Sequence, residues 1–150
     1  MTYRARDHLP GQEATVINPQ PKLVALGRTE CLTRLAGEGV GRVVVTRQSL
    51  PAAHPVHNVL DGEESVFRTP RGGTLAAAVL GTVVAFQVDD IDLGPAPGGA
   101  STGVGEAYEI AEPGRLHRLQ QTLSPWWATC DTAHAISIPL RILHGRLTFT

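Results

Sequence analysis

HPVHNVLDGEESVFRTPRGGT, residues 54–74, reads as a strand, a tight turn, a second strand and a glycine loop. Asp61-Gly62 marks the turn, because Asp-Gly suits the positive φ angles of a two-residue hairpin loop. Residues 54–60 lead in and residues 65–69 lead out. The second strand ends in Arg68-Thr69, and Pro70-Arg71-Gly72-Gly73-Thr74 follows. A guanidinium, two hydroxyls and glycine amides gathered there can hold a phosphate. An ordinary hairpin and loop uses the same residues, so this stretch alone leaves both readings open.

Outward from the hairpin, the pattern is of short strands with few helices. Residues 29–36 carry Cys31, Leu32 and Leu35 on one helical side, with Gly27 at the start and Gly37 or Gly39 as the stop. Glycines 37, 39 and 41 follow a helix and precede a strand, the reverse of a dinucleotide fingerprint. Residues 40–46 hold three successive valines and form a strand, with a turn at 48–51 and a return strand over 52–60. After the hairpin, residues 74–80 make a short alanine-rich helix ended by Gly81. The apolar run at 82–89 predicts a strand buried on both faces. Residues 91–103 read as a Pro/Gly-rich connection, 104–110 as a fifth strand, and Pro113 starts a helix to about residue 123. A loop with Trp126 and Trp127, a strand over 133–139 and a terminal turn and strand over 140–150 complete the chain. This is a mainly β (α+β) pattern with two or three short helices, and it predicts a small antiparallel barrel. Residues 1–25 read as an extended N-terminal arm and 26–150 as one domain.

Composition narrows the function classes. The chain has 150 residues, 42% hydrophobic and 18% charged, with a net charge of -1. That is a globular composition, with no basic face to favour a nucleic-acid partner. No apolar run reaches the ~20 residues of a membrane span, and the first 25 residues lack a signal-peptide core. Cys31 and Cys130 have no metal-ligand spacing and read as reduced thiols of a cytoplasmic protein.

Other motifs were weighed on their chemistry. Gly99-Ala100-Ser101-Thr102-Gly103 has the Gly-x-Ser-x-Gly spacing, but not the strand-to-helix turn that exposes a nucleophilic serine. His54 and His57 are three apart and point to opposite faces of a strand, so they do not share a metal, and no metal site is expected. Glu106, Glu109 and Glu112 read as a solvated surface, and Trp126-Trp127 as cover for a core edge or dimer interface.

The same residues carry a family resemblance. GRVVVT (41–46), Pro55-Val56 before VLDG (59–62), VFRTPRGG (66–73), VAFQVDDID (84–92) and ISIPLRILHGR (136–146) occur in the order seen in pyridoxamine-phosphate-oxidase-like flavin-binding split-barrel proteins, and the chain resembles their small actinobacterial branch. The resemblance implies a six-stranded antiparallel split β-barrel of the flavin-reductase-like kind, forming a homodimer with FMN at the dimer interface. It puts the flavin ring along Val56, His57 and Asn58. It puts the phosphate at Arg68, Thr69, Gly72, Gly73 and Thr74. It implies an oxidoreductase of unstated small-molecule substrate, with no catalytic residue assigned. Four positions depart from the family pattern. Gly73 and Thr74 stand where relatives carry a hydroxyl residue and then lysine, and His57-Asn58 where they carry Asn-Tyr. Gly98-Gly99-Ala100 replaces an entry tryptophan, and Ser137 replaces an arginine. These departures motivate the alternative of a barrel that has lost its flavin and binds deazaflavin, haem or a protein partner.

Overall fold

The computed structural model describes residues 22–36, 40–90, 98–122 and 133–149. The arm before residue 22, Gly37 and Gly39, residues 91–97, the loop with Trp126 and Trp127, and Cys130 lie outside the described residues.

Within them run nine strands: β1 (Lys22–Ala25), β2 (Val40–Arg47), β3 (Leu50–Asp61), β4 (Glu64–Pro70), β5 (Val83–Asp90), β6 (Gly98–Glu106), β7 (Tyr108–Glu109), β8 (Ala133–Pro139) and β9 (Ile142–Phe149). Three helices join them: α1 (Arg28–Leu35), α2 (Thr74–Val79) and α3 (Pro113–Thr122). The strands form one sheet in the order β1-β9-β6-β5-β2-β3-β4-β8-β7. Every pairing is antiparallel. Nine strands replace the expected six, the added ones including two short edges. Lys22–Ala25, read from sequence as the end of the arm, pairs with β9.

The hairpins follow turn chemistry. Asp61 pairs with Glu64, so the β3–β4 loop is Gly62-Glu63 rather than Asp61-Gly62. Only the first of these two residues has a positive φ, +61°, the pattern of a type II′ turn. The β2–β3 loop is also two residues, Gln48 and Ser49, both at positive φ, and Leu50 already belongs to the strand.

The sheet curls because its far ends meet. β6 passes through Ala107 into β7, which pairs with β8, while β8 passes through Leu140 into β9, which pairs with β6. Alternation then sends Val43, Val45, Val56, Phe67, Val84, Phe86, Ile136 and Ile138 inward, where Leu35 of α1 and Val79 of α2 join them.

Two sequence expectations change here. The segment read as a connection up to residue 103 is strand from Gly98 onward, and the fifth long strand ends at Glu106. Its glycines serve close packing: a Cβ on Gly103 would sit 2.4 Å from Leu140 Cδ2, and one on Gly105 1.7 Å from the Pro139 carbonyl oxygen. β5 is buried on one face only. Val84 and Phe86 point inward, while Val83 is 67% exposed. Gly-Ala-Ser-Thr-Gly lies inside β6 with Ser101 fully buried, so it forms no nucleophile elbow.

The outward side of β9, β6, β5, β2 and β3 carries Ile142, Val104, Val83, Ala85, Val44, Ala53, Pro55 and Val40 in register. Ile142 is 63% and Val40 53% exposed. Arg42, Gln87 and Asp89 share this side, with Arg42 paired to Asp89, so the apolar residues form a row from Ile142 through Val104, Ala85 and Val44 to Ala53 bordered by charge.

Candidate functional site

The site grows from strand alternation at the end of the β3–β4 hairpin. Asn58 pairs with Phe67 and Val59 with Val66, so odd residues of β3 share a face with even residues of β4. His57, Val59, Val66 and Arg68 therefore lie on the outer side, and Val56, Asn58, Phe67 and Thr69 on the inner side. The expected site residues divide accordingly. His57 is exposed and Arg68 partly buried on the same face, whereas Val56 and Thr69 are buried within. Asn58 donates its side-chain amide to Ser65 Oγ (3.2 Å) and to the Leu35 carbonyl (3.5 Å), tying α1 to the hairpin. Arg68 and Thr69 thus cannot converge through their side chains from one strand. His54 lies opposite the inward-facing Val43 and so faces away from His57. Among the described residues no three His, Cys, Asp or Glu side chains are placed to share a metal ion.

The loop after β4 turns sharply. Gly72 takes φ +73°, and the Gly73 amide donates to the Pro70 carbonyl at 3.2 Å. Gly73 then caps α2, with Thr74 exposed at its first position. This turn brings Arg71 to the side that Arg68 occupies. Both arginines line one cavity of about 110 Å³, together with Glu109 and Ile110 after β6, Leu116 and Gln120 of α3, and Ala135 of β8. Glu109, read from sequence as solvated surface, accepts from His134 Nδ1 at 2.5 Å and lies 3.8 Å from Arg71 Nη2. Sequence reasoning missed Glu109, Gln120 and His134 as cavity neighbours. The available signal was the pairing of strand 133–139 with strand 65–69, which sets His134 opposite Thr69.

Helix α3 roofs this cavity and is pinned in place. Glu112 accepts from the amides of Gly114 (3.1 Å) and Arg115 (3.0 Å), satisfying first-turn donors, and Pro113 needs no donor at that position. Leu119 buries against Val66, Ile110 and Ala135, a second small core outside the barrel. Arg115 is the centre of an ion network. Its Nε donates to Asp61 Oδ2 (2.9 Å), Nη1 to the Tyr108 hydroxyl (2.6 Å), and Nη2 to Glu64 Oε2 (3.1 Å) and Ser137 Oγ (3.4 Å). Tyr108 in turn donates to Glu64 Oε1 at 2.7 Å, and Arg118 donates twice to Asp61.

The Arg118 guanidinium, bonded to Asp61, and then that of Arg115 hold the Asp61 carboxyl below its ordinary range, against the opposing effect of its burial. The sign follows from linkage. A carboxyl depressed in the folded state contributes stability above its unfolded pKa, and that contribution is lost as pH falls through the folded value. Urea denaturation should therefore show stability falling below roughly pH 4, with a shallower fall in Asp61→Asn. Equal slopes in the two proteins would show that Asp61 does not contribute.

Residues 27–146 match the family described as pyridoxamine 5'-phosphate oxidase. An uncharacterized Mycobacterium tuberculosis protein is 36% identical over 123 residues, covering 78% of this chain and 80% of that one. A solved Mycobacterium smegmatis structure, described as an FAD binding protein, superposes with a TM-score of 0.73 at 26% identity, covering 85% of this chain and 100% of that one. A conserved Corynebacterium diphtheriae protein of unknown function gives a TM-score of 0.71 at 28% identity, over 85% of this chain and 98% of that one.

Proposed function

Because the chain belongs to the pyridoxamine 5'-phosphate oxidase family, whose description matches residues 27–146, we propose that it binds a flavin nucleotide, FMN first among them, and serves as an oxidoreductase on a small molecule. The observation that carries this reading is the convergence of Arg68 and Arg71 on one cavity whose outer strand face also bears His57. The donor set fits a phosphate. Two guanidinium groups and the Gln120 amide offer charge-assisted and neutral donors to its oxygens. At about 110 Å³ the cavity admits a phosphate but not a three-ring system, so the ring belongs outside it, along the exposed face of β3 by His57.

Within this reading Arg68 and Arg71 hold the phosphate, and Arg71 supplies the charge that Thr74 does not. Gly72 and Gly73 let the loop turn the exposed Arg71 to the side of Arg68. Thr69, Val56 and Asn58 act from inside the barrel by fixing the two strands, with Asn58 bonded to Ser65 and Leu35. A bound flavin would supply the electron-transfer chemistry, and the protein would supply binding, orientation and electrostatics. His57 is the exposed imidazole on that strand face.

The homodimer belongs to the same proposal. The exposed apolar row across the outer face of β9, β6, β5, β2 and β3, bordered by the Arg42–Asp89 pair, fits a second copy of the chain, whose docking would also exclude water from the ring beside β3. A cytoplasmic location fits a chain in which no described helix is long and apolar enough to cross a membrane.

The test is flavin affinity in Arg68→Ala. A charge-assisted hydrogen bond contributes roughly 1.5–3 kcal/mol, so FMN should bind about 10- to 100-fold more weakly. Unchanged affinity in a folded Arg68→Ala protein would remove the phosphate from this cavity.

A further inference from the structure

The cavity holds a carboxylate where an anion is expected to bind, and that carboxylate is itself clamped by a histidine. Glu109 Oε1 lies 2.5 Å from His134 Nδ1 and 3.8 Å from Arg71 Nη2. An ionised carboxylate offers only lone pairs, so Nδ1 carries the hydrogen and donates to it. Nε2 is then the ring nitrogen left to take a second proton. With His134 neutral, two guanidinium charges against one carboxylate leave the cavity with one net positive charge. With His134 protonated there are two.

We propose that Glu109 and His134 set the charge of the anion this cavity accepts, so that a dianionic phosphate monoester binds with uptake of a proton at His134, while a phosphodiester binds without it. The inference rests on the phosphate placement proposed above and adds to it a selection between mononucleotide and dinucleotide ligands. A monoester carries close to two charges at pH 7, depending on its second pKa near 6, whereas each phosphate of a dinucleotide diphosphate carries one. Glu109 is thus a specificity-determining residue, and His134, which does not line the cavity, acts through it. The other titratable groups around the cavity are Arg68 on β4, Arg71 on the loop, His57 on the neighbouring face of β3, and His117 on α3. The arginines keep their charge throughout, so the histidines are what the test must separate.

Sulfate is the probe for the dianion, because it stays doubly charged from pH 5.5 to 8.5, unlike phosphate. Its binding to the full chain is measured by calorimetry at constant ionic strength. Neutralising the Glu109 charge at a partly buried site by protonation of its His134 partner changes anion affinity by roughly tenfold, so sulfate should bind about tenfold more tightly at pH 5.5 than at pH 8.5. His134→Gln should flatten that profile, and Glu109→Gln should tighten sulfate binding at pH 8.5 by about tenfold. Above roughly pH 7, where its phosphate keeps close to two charges, FMN should weaken with rising pH as sulfate does, and FAD should not. A profile unaltered in His134→Gln would overturn the inference, because the pH dependence would then belong to His57 or His117. Folded protein that binds no sulfate would overturn it as well. Sulfate binding as described without any flavin binding would leave this inference standing and remove the flavin reading. FMN binding with no pH dependence above roughly pH 7 would do the reverse.

Discussion

Gly105→Ala is expected to cost about 3 kcal/mol or more, the upper end of what overpacking a filled interior costs. The reason is geometric. A Cβ at this position would lie 1.7 Å from the Pro139 carbonyl oxygen and 2.8 Å from its carbonyl carbon. These are backbone atoms, so no rotamer change can clear the space. They also sit where the chain crosses from β8 to β9 beside the end of β6, and Arg141 donates to the Val104 carbonyl at 3.1 Å next to the contact. Moving Pro139 away would strain that crossing and the hydrogen bond of Leu140 to Glu63 (3.0 Å). For a chain of this length the loss corresponds to a fall in Tm of roughly 6–12 °C, or to failure to accumulate folded protein. Gly27→Ala is the control, since a Cβ there meets nothing within 4 Å and its φ is -74°. If Gly105→Ala melts within a degree or two of the parent, the barrel does not close at Gly105 and Pro139.

Arg115→Ala should be the most damaging change to the roof of the cavity. The side chain is only 16% exposed, and its guanidinium links α3 to Asp61, Glu64, Tyr108 and Ser137. Among the described residues, removing it leaves the Glu64 carboxylate bonded to Tyr108 and the Asp61 carboxylate to the exposed Arg118. Breaking a buried pair from one side costs about 3–5 kcal/mol. This network is partly open to water, so about 2–3 kcal/mol is the expected loss, read as a shift in urea midpoint. Arg115→Lys should recover little of it, because an ammonium cannot reach four acceptors as a planar fork does. Proteolysis within α3 should rise in parallel, since Leu119 and the partly buried Leu116 would then be what holds the helix to the barrel. A midpoint unchanged in Arg115→Ala would mean that hydrophobic burial suffices to hold α3.

What could be read from the sequence was what local chemistry decides. The valines of β2, the alanine helix before Gly81, the Pro113 start of α3 and the full extent of β8 follow from residues beside them in the chain. The glycine-rich start of β6 did not, because Gly99, Gly103 and Gly105 resemble a loop in one dimension. They are strand residues because Arg146, Leu140 and Pro139 press against them from distant segments. The exposed Val83 misled for the opposite reason: an apolar strand face was taken as interior, and it lies on the bare outer sheet.

The site shows the same division. The loop carrying Arg71, Gly72 and Gly73 and the strand carrying Arg68 were legible, and so was His57. The partition of Arg68 from Thr69, and of His57 from Val56 and Asn58, follows from simple alternation along a strand. The Arg115 bond to Asp61 spans 54 positions, and Glu109 meets His134 across 25. No local pattern announces either, because each exists only once β7 and α3 fold over the β4–β8 face.

The most direct measurement is the visible spectrum of the protein as purified, followed by titration with FMN and FAD. The expected result is the absorption of bound oxidised flavin, or saturable quenching of added flavin in the micromolar range or tighter, weakened in Arg68→Ala. Folded, dimeric protein with no flavin band and no saturable quenching by either nucleotide would contradict the flavin-binding reading.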